Sequence, residues 1–216
     1  MMTKLSVITG CLVLAVLLSG AGRASEFSVD PAAGTDSVYF RSTARLEFIE
    51  GKTGNLTGSL QFDPTNSAVP VSGVLQVDLR TLKTGIETRD RHMRERHLHT
   101  DKYPFAFFEL TQVRGLPGDI KPDTTYAAVA EGFFYIHGVK RALTANMKLT
   151  LYHETEKGWK VDVRASFSIK LDDYRIDRPK ALFLKLAETL EVEVILSARN
   201  DLKATAILLP AWELVP

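Results

Sequence analysis

Residues Leu143-Thr144-Ala145-Asn146-Met147-Lys148-Leu149-Thr150-Leu151 alternate apolar and polar without a break. Residues Val161-Asp162-Val163-Arg164-Ala165-Ser166-Phe167-Ser168-Ile169 do the same. Successive side chains of a β-strand point to opposite faces, so each stretch reads as a strand with one apolar and one wet face. The same period of two recurs upstream and downstream. Leu56, Gly58, Leu60 and Phe62 face against Thr57, Ser59 and Gln61; Gly73, Leu75, Val77 and Leu79 against Ser72, Gln76 and Asp78; Leu190, Val192, Val194 and Leu196 against Glu191, Glu193 and Ser197.

Three less regular strands fill the gaps, at Ser37 to Phe48, Phe105 to Val113 and Tyr126 to Ile136. That makes about eight. Turn signals separate them: Gly51 to Gly54, Asp63 to Asn66, Pro117-Gly118-Asp119, His137-Gly138 and Lys157-Gly158. Short strands at such spacing predict an all-β, antiparallel sandwich or barrel, and we read an eight-stranded antiparallel barrel of lipocalin-like form. Closing about eight strands leaves an interior that side chains just fill, or that holds one small ligand. An outer-membrane barrel shows the same alternation with its apolar face turned outward. The aromatics here are single and mid-strand rather than gathered in girdles, which favours apolar side chains facing inward. Small residues on the inward faces (Gly58, Gly73, Ala145, Ala165) leave space or let large neighbours interdigitate, so a tunnel and a filled core both stay open.

Two stretches break the pattern. Glu87 to His99 is dense in charge, with Met93 and Leu98 as its apolar anchors, and reads as a short helix or ordered loop at the barrel rim. Arg178 to Leu190 has room for a helical turn. Asp201 to Pro216 is apolar but broken by Pro210 and Pro216, and reads as a C-terminal extension laid on the domain.

The first 24 residues read as a leader: Lys4, an apolar run from Leu5 to Leu18, then small residues to Gly22-Arg23-Ala24. Residues 1–24 are therefore assigned to a cleavable signal peptide, 25–200 to the barrel and 201–216 to the extension. The address is export, hence the periplasm of a Gram-negative cell. Ile8-Thr9-Gly10-Cys11 sits too early in the apolar run for a lipoprotein box. About 190 remaining residues bury enough surface for a core without staples. Lys and Arg total 27 against 26 Asp and Glu, which excludes a strongly basic nucleic-acid binder. Cys11 is the single cysteine and lies in the leader, so no disulfide or thiolate chemistry is available after cleavage.

Around the charged stretch the chain reads Thr88-Arg89-Asp90-Arg91-His92-Met93-Arg94, then Asp101-Lys102-Tyr103-Pro104 entering Phe107-Phe108-Glu109. With Asp36 to Phe40, Thr57 to Leu60, Val77-Asp78-Leu79, Gly132 to Lys140 and Phe167 to Ile176 in order, this resembles the YceI family of polyisoprenoid-binding, lipocalin-like periplasmic proteins. The likeness runs from about Phe27 to Ala198. It departs at Glu95-Arg96-His97-Leu98-His99, where the family carries Asp-Phe-Phe, at Arg141 after Lys140, and in the tail. The resemblance implies a non-enzymatic carrier holding one isoprenoid lipid, of polyprenyl or quinone type, in the lumen. The wall residues it suggests are Phe40, Leu60, Phe62, Leu75, Val77, Phe108, Met147, Leu149, Phe167 and Val192. Arg89, Asp90 and His92 form a polar cluster at the mouth, where they either pin a loop by ion pairing or meet the lipid head group. Transient contact with a membrane surface and a homodimer are both compatible with such a carrier, though no stretch marks a dimer face. The main alternative is a structural or stress-response barrel with a filled core and no lipid.

Other chemistry finds little support. His97-x-His99 is a spacing that an extended chain can close on a metal, but Arg91, Arg94 and Arg96 would repel a dication, and no metal site is assigned. There is no Gly-x-Ser-x-Gly, no P-loop, no dinucleotide glycine pattern and no cysteine nucleophile, and no catalytic residue or cofactor is assigned. Asp172 and Asp173 read as the start of a turn.

Overall fold

The computed structural model describes residues 24–29, 34–44, 47–155, 158–178 and 186–200. Ten strand segments form one antiparallel sheet: β1 (Ser25–Val29), β2 (Ser37–Thr43), β3 (Phe48–Thr53), β4 (Leu56–Phe62), β5 (Ser72–Asp78), β6 (Phe105–Arg114), β7 (Thr125–Ile136), β8 (Val139–Glu154), β9 (Gly158–Lys170) and β10 (Thr189–Arg199). β2 and β1 lie one after the other along the same edge of β10, through Val194↔Val38 and then Val29↔Ala198. They pair in turn with β3 and β4. The ten segments therefore occupy eight positions around the ring, and the β1–β10 and β1–β4 pairings close it.

The sequence reading differs at three places. Ser37 to Phe48 is not one strand. The chain reverses between Thr43 and Phe48, and Ala44 N–H bonds to the Glu47 carbonyl at 3.0 Å. No Gly or Pro marks that reversal. Gly51 to Thr53, taken for a turn, belongs to β3, and Gly51 is needed there because the Phe40 ring lies flat over it where a Cβ would stand. A 3-10 turn at Leu171–Tyr174 contains Asp172 and Asp173, as read, while the helical turn expected within Arg178 to Leu190 falls mostly on residues 179–185, outside the described residues. β1 had no counterpart in the reading. The leader, residues 179–185 and the tail from 201 lie outside the described residues.

Alternation decides which side chains meet. Leu149, Leu151, Val161, Ile169, Val192 and Leu196 point inward and are buried. The alternate residues face out and carry an ion-pair chain across four strands. Arg164 donates to Glu193 at 2.9 Å, Arg41 to Glu193 at 3.1 Å, and Arg41 to Glu50 at 2.7 Å. Such half-exposed pairs are worth about 0.2–1 kcal/mol each, so the barrel rests on its apolar interior rather than on this ladder. Among the described residues no helix is long and apolar enough to cross a membrane.

The upper end of the barrel, where β2 runs into β3, is incomplete. β5 ends at Asp78 and leaves the upper edge of β3 without a neighbouring strand. The chain from Leu79 to Pro104 fills this gap. It forms a 3-10 turn at Leu79–Thr81, helix α1 (Glu87–His92) and a π-helical turn at Met93–His97. A two-residue bridge ties it to β3: Lys52 N–H donates to the Lys83 carbonyl at 2.8 Å and Lys83 N–H to the Lys52 carbonyl at 3.0 Å. Leu98 is buried and Met93 packs on the core, so both expected anchors hold this segment down.

Candidate functional site

The barrel encloses a cavity of about 810 Å³. Most of its lining is apolar, and the exceptions lie at one end. Glu47, Thr84, Thr88, Arg89, His92, Arg96 and His97 all come from the β2–β3 turn or the α1 segment. The other end has an apolar floor made by Phe62, Val71, Val113, Leu116 and Ile120. The lumen is a greasy tube with a polar mouth, the pattern of a site that holds a long apolar body and orients one polar tip.

Small residues make the space, though not those at glycine. Leu75 closes over Gly58 and Leu60 over Gly73, filling what those glycines leave open. The alanines differ. Ala130 pairs with Ala145 across β7 and β8, and Met147 pairs with Ala165 across β8 and β9. Ala130, Ala145 and Ala165 thus form a shelf of short side chains on three neighbouring strands, and all three line the cavity.

Each of the ten suggested wall residues lines this cavity: Phe40, Leu60, Phe62, Leu75, Val77, Phe108, Met147, Leu149, Phe167 and Val192. Phe167 meets Phe134 edge-on at 5.5 Å between centroids, and Phe134 meets Tyr174 at 5.6 Å, an aromatic cluster near the mouth. The reading did not single out Phe134, although Ala128, Ala130, Phe134 and Ile136 share one parity on β7 and were open to the same argument.

The three suggested mouth residues separate. Asp90 is 6% exposed and does not line the cavity. It accepts from Thr84 N–H at 2.7 Å and from Thr84 Oγ1 at 2.5 Å. Arg89 donates through Nε to Thr84 Oγ1 at 2.8 Å, through Nη2 to the Thr84 carbonyl at 3.1 Å, and through Nη1 to Glu47 Oε1 at 3.1 Å. Arg89 and Asp90 therefore pin the loop through Thr84 and Glu47 rather than through each other. His92 lines the cavity.

Three further residues that the sequence analysis did not place at the mouth, Thr88, Arg96 and His97, also line the cavity. His97 Nδ1 donates to the Asp177 carbonyl at 2.7 Å, which ties α1's extension to the loop after β9. His99 turns away from His97 and bonds His137 at 2.7 Å between Nδ1 and Nε2. His137 Nδ1 lies 3.1 Å from the Tyr174 carbonyl, which can only accept. Hence His137 donates from Nδ1 and receives the His99 proton at Nε2. Burial is the main reason its imidazole is held below the ordinary histidine pKa; the Tyr174 carbonyl and Asp177 oppose this, while His99 and Lys102 reinforce it. Among the described residues no three His, Cys, Asp or Glu side chains converge on a metal position.

Comparison with known proteins agrees with this architecture. In solved structures the chain is similar to a polyisoprenoid-binding domain from Saccharophagus degradans implicated in plant cell wall breakdown, with a TM-score of 0.61 and 17% identity, covering 80% of this chain and 97% of that one. It is also similar to Burkholderia cenocepacia BcnA (TM-score 0.58, 15% identity, 78% and 98% covered). The YceI protein of Campylobacter jejuni matches at a TM-score of 0.59 and 14% identity, with 73% and 88% covered. At such identities these likenesses speak to the fold. Comparison with curated protein sequences returns no match. The model of the YceI-like domain matches residues 27–198, the stretch over which the motifs ran in order, and the chain belongs to that family.

Proposed function

We propose that this protein is a non-enzymatic carrier that sequesters a single-chain isoprenoid lipid, polyprenyl or quinone in type, within its lumen. The carrying observation is the cavity itself: about 810 Å³, apolar along its length and polar only at the α1 mouth. A five-carbon prenyl unit occupies about 115 Å³ at the ~0.74 packing density of protein interiors, so 810 Å³ accommodates roughly seven units. Each buried carbon contributes about 0.8 kcal/mol, which makes a multi-unit tail tightly held without any polar contact. A structural barrel with a filled core would have no such volume. The YceI-like family and the polyisoprenoid-binding neighbour favour the same reading.

Residues 1–24 direct export to the periplasm in this reading, and a cargo of this kind is collected from a membrane surface. Phe48 and Ile86, exposed at 61% and 50%, stand at the upper end of the barrel and suit brief contact with lipid there. The test is native mass spectrometry of protein purified from its own periplasm, followed by organic extraction. A one-to-one adduct with the mass of a polyprenyl or quinone species is expected. An unliganded mass, with no uptake of added polyprenols by the delipidated protein, would overturn the proposal.

A further inference from the structure

Four aromatic side chains stand on the outside of the barrel. Along β8 the outward residues Ala142, Thr144, Asn146 and Lys148 are polar or small and exposed. On β6 and β7 they are Phe105, Phe107, Phe133 and Tyr135, of opposite parity to Phe108 and Phe134 on the lumen wall. Phe107 pairs with Tyr135 across the two strands. Phe107 is 3% exposed and Tyr135 0%, yet neither belongs to the core inside the barrel. Glu109 accepts the Tyr135 hydroxyl at 2.6 Å, and the Lys140 ammonium stands 4.7 Å from the Tyr135 ring centre. These two side chains cover part of the patch, and among the described residues no helix or strand is laid across the rest.

The register connects this patch to the end of the last strand. Arg199 pairs with Ser28, Ser28 with Ser59, Ser59 with Val74, Val74 with Glu109 and Glu109 with Phe133, one row around the barrel from β10 to β7. Ser28, outward on β1, is 3% exposed, and its buried hydroxyl has no hydrogen-bond partner among the described residues. The row is therefore covered near its start as well as at the aromatics. The chain leaves β10 at Asn200, and residues 201–216 carry Ile207, Leu208, Leu209, Trp212, Leu214 and Val215. From β10 to β6 are four inter-strand steps, about 19 Å along the sheet. An extended chain from Asp201 to Trp212 spans up to about 40 Å, enough to follow the row around the outside. Burial at two points of one row, within a single chain, favours a continuous segment of that chain over a second copy. We infer that residues 201–216 run along this row as a strap and seat Trp212 and its apolar neighbours on Phe107, Phe133 and Tyr135. The strap also crosses the seam where β1 closes on β10 through Ser28↔Arg199 and Val29↔Ala198. This is independent of what the lumen holds.

The test follows Trp212 in the full-length mature protein. The chain has two tryptophans, Trp159 and Trp212, so subtracting the emission of Trp212→Phe isolates Trp212. A blue-shifted Trp212 emission is expected, poorly quenched by acrylamide and independent of protein concentration. Phe133→Glu, at the exposed edge of the patch, and Tyr135→Ala, each measured against its own Trp212→Phe partner, are expected to red-shift that emission and raise its quenching constant severalfold. Circular dichroism and melting temperature report folding, and Phe133→Glu keeps the test open where the buried Tyr135→Ala fails to fold. A solvent-exposed Trp212 in the unaltered chain overturns the inference. So does a shielded Trp212 that is unmoved in every folded variant, since the tail then docks elsewhere. Shielding that appears only as the protein dimerises, read by sedimentation, assigns the patch to a second copy and overturns it too.

Discussion

Ala145→Phe separates an open lumen from a filled core with one side chain. Ala145 is 3% exposed, lines the cavity and sits beside Ala130 on the alanine shelf. The substitution adds about 100 Å³ of side chain, close to the volume of one prenyl unit at interior packing density. In an open lumen the ring enters empty space. Burial of its surface then holds the melting temperature level or raises it, while the longest tail that fits becomes one unit shorter. A seven-unit polyprenol loses burial of up to five carbons at about 0.8 kcal/mol each, a loss of order 4 kcal/mol or up to about a thousandfold in affinity. A five-unit polyprenol, too short to need the whole tube, keeps its affinity within a few-fold. In a filled core the same ring overpacks and costs about 1–3 kcal/mol, a fall of roughly 2–12 °C for a domain of this size. The assay is native mass spectrometry against polyprenols of four to nine units, beside thermal denaturation. A melting temperature that drops by that amount, with no shift in the length cut-off, would refute the reasoning.

Three further outcomes follow from named contacts. Asp90→Ala orphans the buried Thr84 N–H and hydroxyl and is expected to lower urea stability by about 1–3 kcal/mol, with Asp90→Asn milder because it keeps an acceptor; equal loss in both would place the effect in the charge. Gly132→Ala drives a Cβ into the Glu109 carbonyl across the β6–β7 ladder, and should destabilise by several kcal/mol or abolish soluble expression; a near-native melting temperature would show that the bulge between Leu110 and Gln112 relaxes. For pH, His137 takes up its proton less readily folded than unfolded, because burial lowers its pKa. The unfolded chain therefore binds more protons below the ordinary histidine value of about 6.5, so this contribution is present above that value and is lost as pH falls through it. Chemical denaturation at pH 7.5 and pH 5 should show the fall, and His137→Gln should flatten it; an unchanged slope would assign the pH dependence to other groups.

Much of the barrel was legible because its information is local. A strand's parity needs only the next residue to express it, and once the apolar parity faces inward every residue of that parity is a wall residue. That is why all ten residues from Phe40 to Val192 line one cavity. Where the reading failed, the local signal was thin. β1 is five residues long, and the reversal between Thr43 and Phe48 carries neither Gly nor Pro. Phe134 was missed because Gly132 and the run Phe133 to Ile136, apolar on both parities, blur the alternation around it.

The period of two and the order of the motifs, both readable along the chain, determined an all-β barrel with an apolar inside and placed it in its family. Neither encodes a radius. Whether the inside is hollow depends on Ala130, Ala145 and Ala165, which come from three different strands and become neighbours only through the pairing register. The mouth depends on tertiary contacts in the same way. A run dense in Arg, Glu and His looks solvated from its composition. Only the Lys52–Lys83 bridge, the Arg89–Glu47 pair and the Thr84–Asp90 bonds set which face of α1 looks into the lumen. Those contacts join residues that are 6 to 42 positions apart, a separation at which no pattern in neighbouring residues fixes the side that a helix presents.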